Sequence, residues 1–145
     1  MKKFVSMVLA VMLLFVCTVS TYAESELIPY NSDYFANYGV SLSNEGSAMI
    51  KIVFSADGAE ICDEIGVATF EIEKYNEDNG AWENVSGLIN GQTGSNTLSY
   101  TFSRYFQGVE GERYRVQVTF VASIDGTMEF KTHTSGVITA SRFRT

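Results

Sequence analysis

The 145-residue chain is poor in the residues that usually carry site chemistry or covalent staples: one His, one Trp, one Pro and two Cys. A single imidazole, His133, rules out a multi-His metal centre, and no G-x-S-x-G segment offers it a serine nucleophile. Basic residues are also few, 10 Lys and Arg against 17 Asp and Glu, for a net charge of −7. So acidic a chain lacks the Lys/Arg patches that hold phosphates, which argues against nucleic acid and anionic lipid as partners. After the first two dozen residues there is no long apolar run, and the end "SGVITASRFRT" carries no "LPxTG" wall anchor.

The one long apolar run is at the start. In "MKKFVSMVLAVMLLFVCTVSTYAES", Lys2 and Lys3 precede an apolar stretch from Phe4 to Val16, and Thr21 and Ala23 stand at −3 and −1 of a cleavage position. This is the layout of a secretory signal peptide. The run is shorter than the roughly 20 residues a membrane span needs. Val16 stands before Cys17, where a bacterial lipobox has Gly or Ala, so lipidation is not expected. The expected organisation is a signal peptide at 1–23 and a single domain at 24–145, secreted, extracellular, monomeric and off the membrane after cleavage. The first 23 residues hold two of the basic residues and none of the acidic ones, so the remainder carries 8 basic against 17 acidic, or −9. That charge suits a soluble secreted protein.

Cleavage would leave Cys62 as the sole thiol, so no intrachain disulfide is expected and the fold must stand on packing. A lone Cys in such a chain reads as a small buried hydrophobe.

The mature region alternates as strands do. "YGVSLSN" and "SAMIKIVFSA" come first, the latter with Ile50, Ile52 and Phe54 on one face. "GVATFEIEKY" places Ala68, Phe70 and Ile72 on one face and Thr69, Glu71 and Glu73 on the other. "AWENVSG" follows the turn-rich "NEDNG", and "TLSYTFSRY" groups Leu98, Tyr100 and Phe102. "ERYRVQVTFVAS" turns Tyr114, Val116, Val118, Phe120 and Ala122 inward and Arg113, Arg115, Gln117 and Thr119 outward. After Asp125-Gly126, a two-residue hairpin signal, "TMEFKTHT" is expected to turn Met128 and Phe130 in and Glu129, Lys131 and His133 out. Between the second and third runs, residues 59–64 of "DGAEICDEIG" could form one helical turn.

About seven strands at regular spacing predict an all-β fold, an antiparallel sandwich of immunoglobulin or fibronectin type III kind. Tyr114, just after the Gly-containing corner "GVEGER", matches the Tyr that in such domains reaches back to the corner backbone. No Cys follows it two residues on, and Trp82 comes late for the usual core Trp, which favours the disulfide-free fibronectin-like variant.

The segments "SDYFANYGVSL", "IKIVF", "CDEIGVATFEI", "AWENV" and "YFQGVEGERYRVQVTFVA" cover most of residues 32–122. In them the chain resembles a group of small secreted proteins of Gram-positive anaerobes and their relatives. The resemblance implies a secreted β-sandwich and carries no established activity and no catalytic residues. Met often stands in that group where this chain has Cys62, in keeping with a packing role.

No residue pattern predicts an enzyme or a cofactor. Glu71 and Glu73 share a strand face, as a glycosidase pair could, but read as a solvated face paired with Arg113 or Arg115 across the sheet. The oxygen-rich loops "NEDNG" and "DGAEICDE" have groups that suit calcium, without the spacing of an EF-hand. Tyr30, Tyr34, Phe35 and Tyr38 form the candidate ligand-binding surface, since aromatic rings stack on sugars and anchor protein partners; the same rings could instead seal one end of the domain. The expected function is a non-enzymatic binding or adhesion module for an extracellular protein or glycan. The alternative is a small secreted effector of toxin-like or inhibitory type.

Overall fold

The structure, a computed structural model, describes residues 32–145. The expected signal peptide at 1–23 and Tyr30 lie outside these residues. Eight strands and no helix occur among them: β1 (Phe35–Gly46), β2 (Met49–Asn76), β3 (Ala81–Asn84), β4 (Ile89–Asn90), β5 (Thr93–Gln107), β6 (Arg113–Ile124), β7 (Thr127–Thr134) and β8 (Ile138–Thr139). Every pairing is antiparallel within one curled sheet.

The second and third expected strands, and the helical turn expected at 59–64, are a single 28-residue strand, β2. Its first part, from Met49 to Asp57, lies between β1 and β5, and its later part, from Glu64 to Lys74, pairs with β6. The segment stays extended because its neighbours claim its backbone. Phe35 pairs with Gly58, Ala59 N–H donates to the Tyr34 carbonyl at 2.8 Å, and Cys62 pairs with Thr97. A helical turn would break these bonds and withdraw Cys62, which is fully buried.

Ala68 departs from the expected pattern too. Val67 opposes Phe120, but Thr69 opposes Thr119, so Ala68 is the extra residue of a bulge. Inward positions are Ile65 and Val67 before it, then Phe70 and Ile72 after it, while Ala68 itself is half-buried. The chain crosses here at close range. Val67 N–H donates to the Gln92 carbonyl and Gly91 N–H to the Ala68 carbonyl, both at 2.9 Å. A Cβ on Gly91 would lie 2.2 Å from the Val67 oxygen, so only glycine fits.

Strand β6 matches its alternation: Tyr114, Val116, Val118, Phe120 and Ala122 are all buried. Strand β7 is reversed from expectation. Asp125 (φ 52°) and Gly126 (φ 78°) form a two-residue turn with Ile124 opposite Thr127. That register puts Lys131 opposite Phe120 and His133 opposite Val118, on the core side. Met128 and Phe130 are therefore on the outer face, 51% and 55% exposed. Leu98, expected inward with Tyr100 and Phe102, is also exposed, because the β2–β5 ladder breaks between Asp57 and Cys62 and the parity of β5 is lost there.

The core is closed by the curl of the sheet. Phe54, from the first part of β2, lies 4.7 Å from Phe70 of its later part, ring centre to ring centre, and Tyr38 of β1 lies 5.1 Å from Phe120 of β6. The last residues are tied in by Asn44, which is buried. Its Nδ2 donates to the Thr139 carbonyl, its Oδ1 accepts from Ser141 N–H, and its own N–H donates to Thr145 Oγ1, each at 3.0 Å.

Candidate functional site

The described members of the sequence-derived aromatic surface are drawn into the core to different degrees. Phe35 is only 1% exposed and presents no ring to solvent. Tyr34 and Tyr38 are half-buried and pack against the core, Tyr38 edge-on to both Phe35 at 5.3 Å and His133 at 6.2 Å. His133 thus has Tyr38 as an aromatic neighbour.

A second aromatic group, not anticipated from the sequence as a unit, lies on the outward positions of β2, β3 and β6. The turn at Glu77–Gly80 brings Tyr75 opposite Trp82, their rings 5.2 Å apart and edge to face. Arg113 stacks over Tyr75 at 4.1 Å and Arg115 over Trp82 at 4.3 Å. Each guanidinium also meets a carboxylate, Arg113 with Glu77 and Arg115 with Glu73. Such stacking adds about 0.5–1 kcal/mol per exposed pair and fixes the guanidinium planes. The signal in "EKYNEDNGAW" is a Tyr and a Trp on either side of a turn, which pair only in the hairpin register that sets Asn76 opposite Ala81.

The register extends this face toward β7. Glu71 opposes Gln117, and Gln117 opposes Thr134. One step further, Thr69, Thr119 and Thr132 form a row across β2, β6 and β7. Leu88, 71% exposed, borders a shallow hollow over these rows. Beyond them lie Phe130 and Met128, on the positions that β7's reversal turned outward.

The carboxylates singled out by sequence are held by neighbours. Glu73 is buried against Arg115 and Gln117, and pairs with Arg115 as the cross-strand reading anticipated, although its face is covered rather than solvated. Glu71 accepts from Asn84 Nδ2 at 2.7 Å. In the "NEDNG" turn, Asn76 and Asn79 accept from the N–H groups of Asp78 and Ala81 and donate to Glu83, whose carboxyl they hold below the usual range. Among the described residues no three His, Cys, Asp or Glu converge as a metal set. Cys62 is buried, and desolvation, reinforced by Glu60 and Asp63, pushes its thiol up, away from the nucleophilic thiolate.

Comparison with protein-family models, with curated proteins and with solved structures gives no match for this chain.

Proposed function

We propose that the chain is a secreted, non-enzymatic binding or adhesion module on an immunoglobulin/fibronectin-like sandwich. In this reading the first part of β2 with β1 and β5 is one layer, and its later part with β3, β4, β6 and β7 is the other. The observation that carries the binding role is the stack of Arg113, Tyr75, Trp82 and Arg115 on the outward side of β2, β3 and β6. Trp, Tyr and Arg dominate the energetic centres of interfaces, and here their rotamers are fixed before a partner arrives, which lowers the entropic cost of binding. Flat rings beside Gln117, Glu71 and the Thr row would also suit a sugar, which needs a stacking face and hydrogen-bond partners.

The test is retention of the secreted protein on a glycan array and on intact cells, for the native chain and Trp82→Ala. Specific retention that falls about tenfold or more in the variant is expected, the loss typical of an interfacial anchor. No retention on either, or equal retention by Trp82→Ala, would remove this face as the binding site.

A further inference from the structure

We propose a second docking surface at the break in the β2–β5 ladder, remote along β2 from the Trp82 stack, whose partner is a cationic amphipathic protein segment. The apolar part is Ile61 and Leu98, 67% and 51% exposed. They are the residues at which the ladder opens: Cys62 pairs with Thr97, and regular pairing does not resume until Asp57 meets Ser99. Cys62 turns into the core, so Ile61, its neighbour, must turn out. The break is packed. A Cβ on Gly58 would lie 2.6 Å from the Glu60 carbonyl oxygen, 2.8 Å from Cys62 Sγ and 3.2 Å from the Leu98 carbonyl oxygen. The backbone that displays the two side chains is therefore closely packed from beneath, and two large apolar groups stand in water above it.

Charge identifies the partner. Asp57, Glu60, Asp63 and Glu64 flank the break on β2, and the ladder sets Glu64 beside Ser123, two residues before Asp125 in the β6–β7 turn. None of these five carboxylates forms an ion pair with a described residue. The pairing partners of β2 through this stretch, Tyr100, Ser99, Thr97 and Ser95 on β5 and Ser123 and Ala122 on β6, include no cation. The described cations that form ion pairs, Lys74, Arg113, Arg115, Lys131, Arg142 and Arg144, all meet a Glu outside this stretch. An exposed apolar pair on a stretch whose carboxylates form no ion pair, Glu64 accepting only from Thr93 Oγ1 at 2.8 Å, fits a segment in which Lys or Arg alternates with apolar side chains. A second copy would bring like charges together, and an anionic surface would be repelled.

This surface is independent of the Trp82 face, and its test separates the two. A fluorescent peptide of alternating lysine and leucine is titrated into the native chain, Ile61→Ser/Leu98→Ser, Glu60→Gln/Asp63→Asn and Trp82→Ala, at low and moderate salt, with polylysine as the charge-only control. The native chain should bind the peptide more tightly than polylysine. The Ile61/Leu98 variant should lose about tenfold or more in affinity, the Glu60/Asp63 variant should lose both affinity and salt dependence, and Trp82→Ala should be unchanged. Shift mapping of the native amides should place the perturbation on residues 57–64 and 95–99. Absence of binding, equal binding of polylysine, indifference to Ile61/Leu98 replacement, or perturbation mapped elsewhere would each overturn the proposal. Concentration-dependent dimerisation abolished by the Ile61/Leu98 changes would overturn it in favour of a self-contact.

Discussion

The hydroxyl of Tyr114 accepts a hydrogen bond from the backbone N–H of Val109, five residues upstream, at 2.9 Å. The ring is buried at the start of β6, against Phe106 at 5.3 Å, and the corner between them closes over Gly108, where a Cβ would sit 3.1 Å from the Tyr114 ring. The corner is thereby pinned by one phenol. Tyr114→Phe keeps the ring and loses the bond, and should cost about 1 kcal/mol, because the exposed Val109 segment lets water replace the acceptor. Chemical denaturation of the two proteins measures it, and an effect above about 3 kcal/mol would mean the phenol does more than pin the corner.

The two faces of the β6–β7 hairpin give a paired prediction. Phe120 is fully buried, so Phe120→Ala should destabilise by about 3–5 kcal/mol. Phe130→Ser, on the outward positions of β7, should stay within about 0.5 kcal/mol of the native stability. Urea midpoints decide between this arrangement and the reverse, in which Phe130 would be the costly position.

Arg115→Ala should be more damaging than its outward position suggests. The substitution removes the partner of Glu73, a carboxylate that is 8% exposed, and uncovers Trp82. About 2 kcal/mol is expected, less than the cost of breaking a fully buried pair because the arginine is itself partly solvated. In a double-mutant cycle, Glu73→Gln should recover part of that loss. Strict additivity of the two changes would show that the pair contributes nothing.

Cys62 links stability to alkaline pH. Its thiol is pushed up by burial and, less, by Glu60 and Asp63, so the folded chain retains a proton that the unfolded chain releases. Its contribution is therefore fully present below the range where a free thiol ionises, and is lost as the pH rises from that range through the raised range of the buried thiol. Denaturation midpoints should fall over that range in the native chain and fall less in Cys62→Ala. Thiol labelling at neutral pH should be slow until denaturant is added; rapid labelling of the native chain would contradict the burial.

Strand β6 was legible in the sequence because alternation is unambiguous where one face is charged and the other aliphatic. Strand β7 was not, although the means to read it were present. A two-residue turn transfers parity across the hairpin, so inward Phe120 and Ala122 require inward Lys131 and Glu129, whatever the apolar character of Met128 and Phe130. Ladder bonds and a core side already occupied by Tyr38 prevailed over pattern. The joining of two expected strands into β2 was hidden for a different reason: "DGAEICDE" has the composition of a loop, and only pairing with β1 and β5 keeps it extended. The Tyr75–Trp82 stack needed the hairpin register, and Tyr34, Phe35 and Tyr38 could be placed only once β1 was seen against β6 and β7. The aromatic residues were visible as residues; their neighbours were not.

Because β2 runs unbroken through both parts of the sheet, no flexible joint separates them. A domain whose two layers are linked by loops can breathe by parting them, but here any opening must break hydrogen bonds along the same strand. Amide protons from Ile50 to Phe54 and from Phe70 to Ile72 should thus exchange with solvent in one shared event, at the free energy of complete unfolding.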